Sequence, residues 1–146
     1  MINLKESNHT NRELELMLQG KKPFAIFADD ISCYPNEFIF PEAIFLPYVE
    51  NNILIKDIFT IETSMFISTL NRNAINQYVA YALPNEIWRI EAYKQLDKIR
   101  NSHPPMYRDE GLERYECALL GYTFEETNAW IAHVTKLRST IHQPAI

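Results

Sequence analysis

Glu116 is the residue around which acid–base chemistry would gather if this chain performs any. It falls on the helical stretch Asp109 to Leu120, between Leu112 and Leu120 and beside the stripe Leu112, Tyr115 and Leu119. A carboxylate on an apolar margin either reaches out to water or is buried with a partner, and burial raises its pKa toward that of a general acid. His103 and Tyr107, in the loop before this helix, are the side chains that would assist it. The plainer reading is structural pairing, with Arg108 two turns earlier, or a tyrosine, satisfying the carboxylate.

A second constellation concerns binding rather than catalysis. From Pro23 to Ile55 there is no Lys or Arg, yet Asp29, Asp30, Glu37, Glu42 and Glu50 are present. Those five residues equal the formal net charge of −5, so the remaining acidic residues only balance the 14 basic ones. The window also holds Pro23, Pro35, Pro41 and Pro47 and seven of the 18 aromatic residues. Aromatics are enriched in interface cores, and a rim of one sign steers a partner of the other. The expected contact residues are Asp29, Asp30, Tyr34, Glu37, Phe38, Glu42, Tyr48 and Glu50. The competing reading makes Phe24, Phe27, Phe38, Phe40 and Phe45 core and the carboxylates a solvated edge.

Other chemistries find little support. The three glycines, Gly20, Gly111 and Gly121, supply no phosphate-cradling loop, and neither a nucleophile elbow nor a zinc-binding His-Glu-x-x-His stretch occurs. Asp29-Asp30 follows a predicted strand, but adjacent residues on extended backbone point to opposite sides. Turn formation explains that pair as well as metal binding does. His9 and His142 fall in termini expected to fray, and His133 falls opposite the apolar stripe of the last helix. Cys33 and Cys117 fit no metal-ligand spacing and read as free thiols of a reducing compartment, a bridge between them being the alternative. No metal or cofactor is expected. The acidic balance argues against nucleic acid, no basic recognition helix stands out, and no apolar run reaches membrane-spanning length. The polar N-terminus lacks the apolar core of a signal peptide, which gives an expectation of a cytoplasmic protein.

The elements that must position these residues follow from periodicity. At 146 residues, 47% hydrophobic and 23% charged, the chain fits one globular domain over 1–146, with 1–9 and 139–146 frayed. Thr10-Asn11-Arg12-Glu13 matches a capping box opening a helix to Gly20, with Lys21 and Lys22 just beyond. Phe24–Ala28 reads as a buried strand, and Pro41 could open a helix through Val49 that Pro47 distorts. Ile53–Ile61 reads as a strand, and Ser64–Leu70 with Ile75–Leu83 as a hairpin about Asn71-Arg72-Asn73. Pro84 stops the last strand and Asn85 caps a helix to Arg100. Trp88, Ala92, Leu96 and Ile99 form its stripe, while Ile87, Ile90 and Tyr93 fall off it, which places the helix between layers. Asp109–Leu120 is the next helix, stopped by Gly121. Thr123-Phe124-Glu125-Glu126 is a second capping box, opening a helix to about Leu137 that buries Phe124, Ile131, Val134 and Leu137.

Strands followed by helices predict an α+β fold: a small, mostly antiparallel sheet of about four strands, covered by helices on one face, with a C-terminal three-helix segment. The functional expectation is a non-enzymatic binding factor of inhibitor, immunity or regulatory type, docking a basic protein through segment 23–55. A homodimer burying that segment fits the same residues. The alternative is a small enzyme whose pocket, between sheet and C-terminal helices, uses Glu116, His103 and Tyr107.

Overall fold

A computed structural model describes residues 9–30, 40–67, 71–102 and 109–141. The order is α1 (Glu13–Leu18), β1 (Phe24–Asp30), α2 (Glu42–Glu50), β2 (Ile55–Ile67) and β3 (Arg72–Ala82). A 3-10 turn at Pro84–Glu86 then leads to α3 (Trp88–Asn101), α4 (Glu110–Leu119) and α5 (Phe124–Ile141). The class is α+β. Among the described residues its sheet has three antiparallel strands in the order β1-β3-β2. The expected fourth strand disappears because 53–61 and 64–70 do not form separate strands. Most of both belongs to the 13-residue β2, whose pairing with β3 shifts register between Glu62 and Phe66. An irregularity of that kind bends a strand without ending it.

Strict alternation sends neighbouring side chains to opposite faces of the sheet. Phe24, Ile26, Tyr78, Ala80 and Ala82 face one way, where Ile90, Tyr93 and Leu96 of α3 and Leu119 of α4 cover them. Ala25, Phe27, Val79 and Tyr81 face the other, under Met17 of α1 and Phe45, Tyr48 and Val49 of α2. Helices therefore cover both faces, not one. The run Tyr78–Ala82 is apolar at every position because a central strand covered on both sides has no water-facing set. Phe45 stacks on Tyr81 with centroids 4.0 Å apart, which joins α2 to the sheet centre.

Two of the expected caps are replaced by other devices. At α1 the N-cap position is Arg12, with no side-chain cap, and Asn11 takes φ 63°, so the helix does not open from Thr10 as expected. At α3, Pro84 opens the 3-10 turn and the helix proper starts without a side-chain cap, so Asn85 has no capping role. The second box does form: Glu126 N donates to Thr123 Oγ1 at 3.2 Å and Thr123 N to Glu126 Oε1 at 3.0 Å. Asp109 caps α4 by accepting from Leu112 N at 3.1 Å.

The buried side of α3 also departs from expectation. It consists of Ile90, Tyr93, Leu96 and Asp97, while Trp88 is 54% and Ile99 47% exposed. Leu96 belongs to both stripes, and the sheet takes the side on which Ile90 and Tyr93 meet Phe24 and Tyr78. Trp88 remains outside under the Arg89 guanidinium, 4.6 Å from its ring. On α5, which continues to Ile141, Ile131 and Val134 are half-buried, but Phe124 in the first turn and Leu137 are exposed.

Candidate functional site

The acidic segment is built around α2. Asp29 is exposed near the end of β1, and Asp30 is placed by its backbone alone; Tyr34, Glu37, Phe38 and Cys33 lie outside the described residues. Glu42 opens α2 half-buried and pairs with Lys56 of β2; Glu50 closes the helix, exposed. Tyr48 is half-buried against the core cluster. Phe24 and Phe45 are fully buried, and Phe27 and Phe40 pack beside that same core. The described aromatics of the segment thus serve the core, and its exposed apolar atoms are aliphatic. Ile44 is 57%, Leu46 50% and Ile53 46% exposed, with Pro47 exposed between them.

Beside Leu46, a cleft of about 180 Å³ opens between α2 and the sheet, lined by Glu42, Ala43, Leu46, Val49, Lys56 and Tyr81. The Tyr81 hydroxyl is buried without a hydrogen-bond partner among the described residues. Burial, reinforced by the Glu42 charge, pushes its pKa up to about 12, so it stays protonated across physiological pH.

Glu116 lies on α4, facing α3 rather than an open pocket mouth. Arg100 of α3 ion-pairs with its Oε2, and the Tyr93 hydroxyl donates to Oε1 at 3.4 Å. Asp97, 6% exposed, sits beside them with Arg100 at 4.0 Å, and its Oδ2 has no partner among the described residues. Burial raises the Asp97 pKa, while Tyr78 and Arg100 oppose the shift. Burial also pushes the Tyr78 and Tyr93 hydroxyls well above their ordinary range. The group is an ionic cluster of one guanidinium and two carboxyls in which tyrosines serve as donors. His103, Tyr107 and Arg108 lie outside the described residues. Sequence reasoning overlooked Asp97, although an acid one position after Leu96 on an apolar face is a legible signal.

A third cluster had no counterpart in the sequence reading. His9, expected to fray, is 8% exposed and stacks on Tyr122 with centroids 4.1 Å apart. Lys22, 2% exposed, donates to the Leu120 carbonyl at 2.7 Å and to His9 Nδ1 at 3.0 Å. With the ammonium as donor, Nδ1 is the acceptor, so His9 carries its proton on Nε2 and donates it to Glu126 Oε2 at 3.1 Å. Burial lowers the Lys22 pKa to about 8, against the pull of Glu13 and Glu126. Burial and the Lys22 charge also lower that of His9. Lys22 does complement a helix C-terminus, as its place after Gly20 suggested, but that of α4 and not α1. A cleft of about 330 Å³ adjoins His9, Glu126, Thr123, Gly121 and Arg12, but Lys22 does not line it.

His133 is exposed, with its ring 6.0 Å from that of Trp130, and Cys117 is a buried free thiol. Among the described residues, no group of three or more His, Cys, Asp or Glu is placed to hold a metal, and no helix is long and apolar enough to cross a membrane. No protein-family model, curated protein sequence or solved structure matches this chain.

Proposed function

We propose that this chain is a non-enzymatic binding factor that docks a basic protein partner through the outer side of α2 and the carboxylates around it. The observation that carries this reading is the division of α2. Phe45 is 1% exposed in the core, whereas its neighbours Ile44 and Leu46 keep half or more of their surface in water. Single exposed apolar residues are ordinary, but here Pro47 within α2 and Ile53 just after it are exposed as well, which concentrates exposed apolar side chains in 44–53. Burying the exposed halves of three aliphatic side chains supplies roughly 3 kcal/mol, at about 1 kcal/mol each. That is too little for a stable complex alone. Charge supplies the remaining selectivity: segment 23–55 contributes no cation, and Lys56 beside it is already paired with Glu42. The ties of Glu116 to Arg100 and Tyr93 support a structural part for that residue.

The test is affinity capture from a native extract at low salt, followed by kinetics on the captured partner. Replacing Glu50 with Lys and Leu46 with Ser is expected to slow association and weaken binding with little change in melting temperature. A partner that is not basic, or that binds the double variant as tightly as the wild type, refutes the reading.

A further inference from the structure

We propose that the cleft between α2 and the sheet is the seat of an arginine side chain presented by the basic partner. The inference rests on the docking reading above and gives it a specific anchor. Size argues for a single side chain. At about 180 Å³ the cleft is smaller than the roughly 300–1,000 Å³ of sites that hold cofactors and small molecules. Its walls are aliphatic, with Ala43, Leu46 and Val49 placed to cover a methylene stem.

Its polar end is built of acceptors in need of donors. Tyr81 is 1% exposed and its hydroxyl has no partner among the described residues, a state that is rare for buried hydroxyls in folded proteins. Glu42 gives Oε2 to Lys56, which leaves Oε1 to accept from a newcomer. A guanidinium presents several N–H donors in one planar fork, so one group can serve Glu42 Oε1 and the Tyr81 oxygen together. An ammonium fits less well. It would bring a second compact charge against Lys56, whereas the guanidinium spreads its charge and is more weakly hydrated. An acidic side chain would meet Glu42. Arginine is also among the residues that most often dominate interface energetics when they fill a pocket.

The probe is N-acetylarginine methylamide, titrated into the intact protein and followed by backbone amide NMR, with the uncharged isostere N-acetylcitrulline methylamide as control. Saturable shifts centred on Ala43, Leu46, Val49 and Lys56 are expected for the arginine probe, and much weaker ones for citrulline. Tyr81→Phe keeps the ring stacked on Phe45, so the fold survives, and the lost hydroxyl should weaken binding about threefold to tenfold. Ala43→Trp, on the exposed side of α2, should block the cleft and abolish the shifts. Equal shifts from both probes, no saturation, or unchanged binding in Tyr81→Phe overturns the proposal. A captured partner that responds to charge reversal while the probe fails to bind removes the pocket alone. Probe binding without any captured partner removes the docking reading alone.

Discussion

Lys22 gives the sharpest test of the packing between the N-terminal segment and the α4–α5 turn. Lys22 is 2% exposed, and burial lowers its pKa from 10.5 to about 8. Between those values the unfolded chain holds a proton that the folded protein has released. Stability therefore rises with pH across that window, and the cost of burying the charge is present in full below it. For one group with these two constants, linkage gives a gain of about 1.2 kcal/mol between pH 7.5 and 9. At a urea slope of about 2 kcal/mol/M this moves the midpoint by roughly 0.6 M. Other groups must be subtracted. His9, with its pKa lowered from 6.5, has finished titrating by pH 7.5. Cys117, pushed up to about 11 from 9.0, acts in the opposite direction, because the unfolded thiol ionises first. Lys22→Met keeps the stem and removes the titrating amine while leaving both other groups in place. The assay is urea unfolding of both proteins at pH 7.5, 8, 8.5 and 9. The wild type should gain on the variant by about 1.2 kcal/mol across the series. A difference that stays constant with pH would show that the amine is solvated in the folded protein, and the derived burial of the Lys22–His9–Glu126 chain would be wrong.

Two further substitutions probe the same architecture. Gly121→Ala should cost about 2–4 kcal/mol and lower Tm by roughly 5–12 °C. Gly121 has φ +81°, and an added Cβ would meet Pro23 Cδ at 2.5 Å, so a thermal melt unchanged from wild type would refute that close approach. Arg100→Met should destabilise by about 1–3 kcal/mol, because it leaves Glu116 and Asp97 as partly buried carboxylates without their cation. Adding Glu116→Gln should recover part of the loss, with a coupling of about 1 kcal/mol in the double-mutant cycle; strict additivity would show that the pair contributes nothing.

How much of this was legible in the sequence depends on the range of the interactions involved. The Thr123–Glu126 box is closed by residues three apart, and it forms as read. The Gly20 and Gly121 stops are equally local, both at positive φ. Thr10-Asn11-Arg12-Glu13 has the same residue pattern, yet Asn11 turns into the left-handed region and the helix opens after Arg12. His9, Lys22 and Glu126 come together across 117 residues, and no local pattern encodes such a contact. Their burial is decided by where the α4–α5 turn lands on the segment after α1.

The candidate docking surface separates what composition reveals from what packing decides. Charge was legible, because the absence of Lys and Arg from 23–55 does not depend on conformation. Side-chain direction was not. Seven aromatics in an acidic window suggested an aromatic interface, but the sheet has two covered faces and so needs a second apolar layer. With a single covered face, Phe27, Phe45 and Tyr48 would have had no core to enter. With two, α2 must turn Phe45 onto Tyr81, and helical geometry then carries its neighbours Ile44 and Leu46 outward. The exposed aliphatic side chains, the Glu42–Lys56 pair and the Tyr81 hydroxyl, unpartnered among the described residues, all follow from that one packing choice. The pattern that could have revealed it is the apolar run Tyr78–Ala82: a strand apolar at every position requires helices on both sides.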